Sequence, residues 1–266
     1  MAIQNSFIKI KGTLGGLTFY EKDGKSLIKT SGGISKERIL NDPNFRRTRE
    51  NMQEFGASAT LGKALRTGFS GISREITTAS IAGRITGMMK RINRVGPGNR
   101  GERAFEIVAN KQLLEGFEFQ KDLPLSTIFY APFETPELDV NRSVTTWTVP
   151  DFNTSNYMLV PLGATHFKLA LHTAVLSDYV FDSTDGSFQF VNPVENKQNA
   201  TAFSPEIPVV GSVGMDITLT TDLGFSTPIP VTAGVLIAIG ILFYQEINGQ
   251  FYALARNNAL QIVKVG

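Results

Sequence analysis

Apolar and polar positions change their period twice along this chain. In Phe7-Ile8-Lys9-Ile10-Lys11, Ile8 and Ile10 alternate with lysines, the period-2 pattern of a half-exposed strand. Glycines at 12, 15 and 16 break that run, and two further short apolar runs, 17–20 and 26–29, flank Asp23-Gly24. Asp-Gly supplies the positive-φ positions of a tight turn, so residues 6–31 read as strands with a hairpin. From 35 to 116 the period becomes helical. Asp42 is an N-cap followed by Pro43 at the first helical position. Phe45, Met52, Phe55, Ala59 and Leu65 then recur at mostly helical spacing, as do Ile72, Ile76, Ala79, Ile85, Met89 and Ile92. Gly96-Pro97-Gly98 interrupts, and Phe105, Val108, Ala109 and Leu113 predict a third helix over about 102–115. Interior glycines such as Gly56, Gly62, Gly83 and Gly87 each cost about 0.5–1 kcal/mol relative to alanine, so the helices break there or approach a neighbour closely.

Beyond about 117 the pattern is β. Apolar, β-branched runs at 126–133, 143–149, 165–176, 187–191, 216–221, 235–245, 250–255 and 260–265 are separated by turn residues, including Asn248-Gly249. The expected fold is α+β. A basic hairpin-plus-helices region, residues 1–116, precedes an acidic antiparallel β-sandwich of jelly-roll type, residues 117–266. The longest apolar run, 233–244, is too short to span a bilayer as a helix and reads as a buried strand.

Charge sharpens this division. Residues 1–110 hold 19 Lys and Arg against 9 Asp and Glu, whereas residues 111–266 hold 7 against 15. The bland total of +2 therefore conceals a dipole, which suits docking of one subunit's positive end onto another's negative end, or a nucleic-acid-facing half. There is no cysteine, which excludes disulfides and thiolate chemistry. The first residues lack a basic stretch followed by an apolar one, so no signal peptide is expected and the location is cytoplasmic or within an assembled particle.

Candidate chemistry is sparse. His166 and His172 lie on one expected strand roughly 20 Å apart, too far to share a metal. Asp178, Asp182 and Asp185 lack calcium-loop spacing. The glycine clusters lack phosphate-loop endings, and no nucleophile elbow is present. No catalytic residue, cofactor or metal is expected. The basic residues carry the remaining signal: Arg46, Arg47, Arg49, Arg66, Arg74, Arg84, Arg91 and Arg94 are the candidate subunit-interface or anion-contacting side chains. Arginine early in a helix opposes the dipole, and a partner anion would relieve Arg46 and Arg47. The plainer alternative is a solvated face with Glu50 and Glu54 as local partners. Trp147, Tyr157 and Tyr179 are the available groups for stacking on a carbohydrate.

The stretch from Gly12 to Tyr20, with Asp23-Gly24 and the arginine helix, resembles uncharacterised bacterial families that pair an N-terminal Gly-rich hairpin with helices and a C-terminal β domain. The resemblance covers about the first 70 residues and implies no activity and no functional residues. The expected function is a non-enzymatic, self-assembling structural subunit, such as a filament, tube, shell or phage-like particle component, with itself as partner. The alternative is a nucleic-acid-binding protein using residues 36–103, and no membrane partner is expected.

Overall fold

The computed structural model describes every residue except Met1, Ser6, Arg74, Glu75, residues 77–80 and Ala255. Arg74 and the stripe position Ala79 therefore lie outside the described residues. Cα proximity divides the chain into two compact units, 1–51 and 52–266. The change of sequence pattern and charge falls elsewhere, at 116.

The first unit is built on a four-stranded antiparallel sheet. Its strands are β1 (Ala2–Ile3), β2 (Gly12–Leu14), β3 (Leu17–Lys22) and β4 (Lys25–Thr30), in the order β1-β4-β3-β2. Asp23 and Gly24 both take positive φ, 52° and 72°, and close the β3–β4 turn as expected. The period-2 segment 7–11 is not one of these strands. The Ile10 backbone is held there by a side chain: the Gln4 carboxamide accepts from Ile10 N and donates to Ile10 O, at 3.1 and 3.2 Å. A short helix α1 (Lys36–Asn41) and a 3₁₀ turn (Pro43–Phe45) follow, and Asp42 caps that turn through Asn44 N. Helix α2 (Arg46–Gly68) begins in the first unit and continues into the second.

The second unit has three layers. After α2 come α3 (Ser70–Ser73) and α4 (Ile81–Val95). The predicted helix over 102–115 is absent: Phe105 instead bridges to Tyr179, and only a 3₁₀ turn (Lys111–Leu113) remains. The predicted strand at 126–133 is likewise replaced by helix α5 (Leu125–Ile128) and extended chain. The β elements then run β5 (Glu137–Leu138), β6 (Val144–Val149), helix α6 (Thr154–Tyr157), β7 (His166–Ser177), β8 (Tyr179–Asp182), β9 (Ser187–Phe190), β10 (Asn199–Phe203), β11 (Ile207–Pro208), β12 (Ile217–Asp222), β13 (Ala233–Ile247), β14 (Gln250–Ala253) and β15 (Ala259–Val265). Strands β10, β7, β13 and β14 lie side by side, with β11 on β7 and β15 on β13; β12, β6 and β5 form a second antiparallel sheet.

Alternation along β13 explains the layering. Leu236, Ala238 and Leu242 join Leu61, Leu65, Ile85 and Met89 of the helices in one core. Ile237, Ile239, Ile241 and Phe243 face the other way and meet Trp147, Val149, Ile217 and Leu219 of the second sheet. A strand covered on both faces must be apolar throughout, which is why 233–244 reads as a continuous run. Two glycines permit close approach: a Cβ at Gly240 would lie 2.7 Å from the Ala259 carbonyl oxygen, and one at Gly62 would lie 3.1 Å from Ile85 Cγ2. The fold is α+β, with N-terminal strands, helices and a C-terminal antiparallel region whose two sheets sandwich a core. Among the described residues, no helix is long and apolar enough to cross a membrane.

Candidate functional site

The candidate arginines fall into separate environments. Arg46 Nε lies 3.0 Å and Arg47 Nη1 2.7 Å from the Glu50 carboxylate one turn on, and these contacts hold Glu50 below the usual carboxylate range. The partner that relieves the unfavourable dipole is thus on the same helix. Arg49 Nη1 donates to the carbonyls of Ile39 and Asp42, at 2.8 and 2.9 Å, and so ties the end of α1 to α2. Arg66 points along its own helix to Gly62 O. Arg84 donates to the Glu118 and Phe119 carbonyls, with its guanidinium 4.8 Å from the Phe117 ring centroid. Arg91 and Arg94 are exposed on α4. Of this set, Arg84 and Arg91 share one shallow depression, with Glu115, Glu118 and Lys121 on its wall.

A tighter polar constellation centres on Glu54, which the plainer alternative places on a solvated face. Its side chain is fully buried on the inner face of α2, beside Ala57, Ser58 and Leu61. Arg103 donates to both carboxylate oxygens, at 2.7 Å each, while Lys90 and the Gly101 N–H complete the shell. Burial alone would raise this carboxyl; the Arg103 and Lys90 hydrogen bonds outweigh it and hold the group at about 2. The cluster ties α2, α4 and the 96–103 loop together and leaves no carboxylate edge open to a substrate. The signal was present in the sequence, since Glu54 falls on the apolar stripe of Ala57, Leu61 and Leu65.

Burial perturbs three further groups, His172, Asp178 and Glu118. His172 is buried beneath Phe69, between Thr201 Oγ1 at 2.7 Å and Gly68 O at 3.0 Å, and desolvation lowers its pKa to about 4. His166, the first residue of the same strand, packs edge-on against Phe251. Desolvation raises Asp178 to about 6 even though it accepts the Ile107 N–H, and Asp182 accepts from Thr184 N within its own turn. Desolvation also raises Glu118 to about 7 despite its bonds from Leu125 N and Gln261. Trp147 and Tyr179 lie in the cores, so neither offers a stacking face; Tyr157 is partly exposed.

Two exposed apolar surfaces escaped sequence reasoning. The first spans the N-terminal unit. Among its described residues no apolar side chain is buried, and the one buried residue is Gln4. Phe7 is 94% exposed, Leu14 69% and Ile8 58%. The register places Leu17, Phe19 and Ile28 on one face of the sheet, and Tyr20 with Lys22, Lys25 and Lys29 on the other. The second is a groove of about 450 Å³ in the second unit, running between the β10–β11 segment and β12. Its wall includes Phe203, Ile207, Met215 and Leu219, with Glu206 and Asp216 also contributing. Comparison of the chain with protein families, curated proteins and solved structures finds no match.

Proposed function

We propose that this chain is a non-enzymatic, self-assembling structural subunit, of the kind that builds a filament, tube, shell or phage-like particle. One observation carries the reading: a 51-residue unit with a four-stranded sheet buries none of its described apolar side chains. A sheet of this size needs an apolar face packed on something to hold its shape. Exposed apolar residues gathered in one small unit mark an interaction surface rather than the scattered exposure of an ordinary monomer. Charge supports a neighbouring copy as the covering partner. Residues 1–51 carry 10 Lys and Arg against 5 Asp and Glu, and residues 52–266 carry 16 against 19. Contact between unlike surfaces of identical subunits is heterologous and generates rings or helical polymers.

The nucleic-acid reading needs a contiguous cationic face without acidic neighbours. The pairing of Arg46 and Arg47 with Glu50, and of Lys90 and Arg103 with Glu54, counts against it. Electron microscopy of the purified full chain tests the assembly reading. Rings, tubes or filaments are expected; a field of separate single subunits at high protein concentration and low salt refutes it.

A further inference from the structure

Strand β12 ends the second sheet on an open edge. The backbone of Ile217–Asp222 is laddered to β6 on one side, and among the described residues it makes no other backbone hydrogen bond. Strand β10 is likewise an edge, of the larger sheet. Toward one end β12 lies against β10 and β7, and the Thr221 hydroxyl is 2.7 Å from the Thr173 hydroxyl of β7, the strand beside β10. At the other end the two edges open into the groove, which Ile217, Thr218 and Leu219 line in succession. Consecutive residues of a strand line a cavity only where the strand's edge, rather than one of its faces, borders it.

We propose that this groove receives residues 7–11 of a second copy of the chain as an added strand at the β12 edge. This deepens the self-assembly reading and rests on it. The segment has the chemistry of an added strand. Ile8 and Ile10 alternate with Lys9 and Lys11, and the segment belongs to none of the strands of its own unit. Gln4 already occupies the N–H and C=O of Ile10, the positions a partner strand would take on one edge. The segment bends at Phe7 and Ile8 in the free chain; straightened on the groove, it would point the backbone groups of Lys9 and Lys11 to the opposite edge. Side chains match as well. Ile10, 44% exposed, finds an apolar wall containing Met215, 69% exposed, and Phe203. Lys9 and Lys11 meet a rim bearing Glu206 and Asp216. Glu206 already faces Lys168, and Asp216 accepts from Asp151 N, so both carboxylates are held in place on the rim. Lys11 exchanges an exposed pair with Glu21, a contact of little net worth in water. Lys9 exchanges its bond to the Gln4 carbonyl.

The cysteine-free sequence allows a direct test with the full chain. Tagged Ile10→Cys or Lys11→Cys protein is mixed with untagged Thr218→Cys protein and oxidised; two neighbouring positions cover both faces of the added strand. The expected product joins tagged to untagged chain, about tenfold or more above a Ser187→Cys control, because docking raises the local thiol concentration. Met215→Glu in the Thr218→Cys background is expected to abolish the excess. If the wild type assembles yet neither mixture exceeds the control, the groove assignment is wrong and self-assembly stands. If Ile10→Cys/Thr218→Cys in one chain closes within that chain while the mixtures stay unlinked, the occupant is the chain's own segment, which also overturns the assignment. A wild type that stays monomeric overturns both readings.

Discussion

Glu54→Gln removes one charge from a fully buried position while keeping its size. The carboxyl sits at about 2 against an ordinary 4.5, a difference near 2.5 units, which corresponds to about 3 kcal/mol favouring the ionised form in the folded state. The mutational expectation for breaking one side of a buried ion pair is similar, about 3–5 kcal/mol, because Arg103 and Lys90 are left facing a neutral amide. Against a typical domain stability of about 5–15 kcal/mol this is a large fraction. Urea denaturation at neutral pH, followed by far-UV circular dichroism, should show a lower midpoint with an unchanged slope. The folded pKa is depressed, so this contribution is present above the unfolded value near 4.5 and is lost as pH falls toward 2. The wild type should therefore lose stability over that window, and Glu54→Gln should lose less. A cost below about 1 kcal/mol, the range of an exposed pair, would refute the claim that the cluster is a buried clamp.

His172 should titrate in the opposite direction to Glu118. Its folded pKa of about 4 lies below the ordinary 6.5, so its contribution to stability falls by up to about 3 kcal/mol as pH drops from 6.5 to 4; His172→Gln should flatten that slope in pH-dependent denaturation, and an unchanged slope contradicts its burial as a neutral ring. The Glu118 carboxyl carbon resonance should titrate with a midpoint near 7, and because its folded pKa is raised, its contribution is complete below about 4.5 and lost as pH rises through 7; a midpoint near 4.5 contradicts the desolvation argument. Gly240→Ala should cost about 1–3 kcal/mol in the same denaturation assay, because its Cβ would meet the Ala259 carbonyl at 2.7 Å; an effect within error would show that β13 and β15 can separate without strain.

Elements whose chemistry is local were legible in the sequence. Asn248-Gly249 turns with positive φ at both residues, 53° and 77°, and the apolar run at 233–244 is a strand buried on both faces. Elements decided by distant partners were not. Phe105 fits a helical spacing, yet its N–H and carbonyl pair with Tyr179, seventy-four residues away in sequence. The segment 7–11 has a strand's alternation, but its Ile10 backbone groups are taken by Gln4 instead of a strand. The arginines illustrate the same limit at the level of sites. Spacing allowed Glu50 as a local partner for Arg46 and Arg47 only as the alternative to an external anion, and it could not show that Glu54 turns inward to Arg103, or that Arg49 and Arg84 spend their donors on backbone carbonyls. The groove beside β12 exists only because two sheets diverge there, and no local pattern encodes that divergence.

Self-association is the central claim, and the mass of the full chain in solution tests it most directly. Sedimentation equilibrium across a wide range of protein concentration at low salt should give a weight-average mass that rises well above the 29.1 kDa of one chain, and falls back toward it as salt is added. A mass that stays at 29.1 kDa across the whole range would contradict the account.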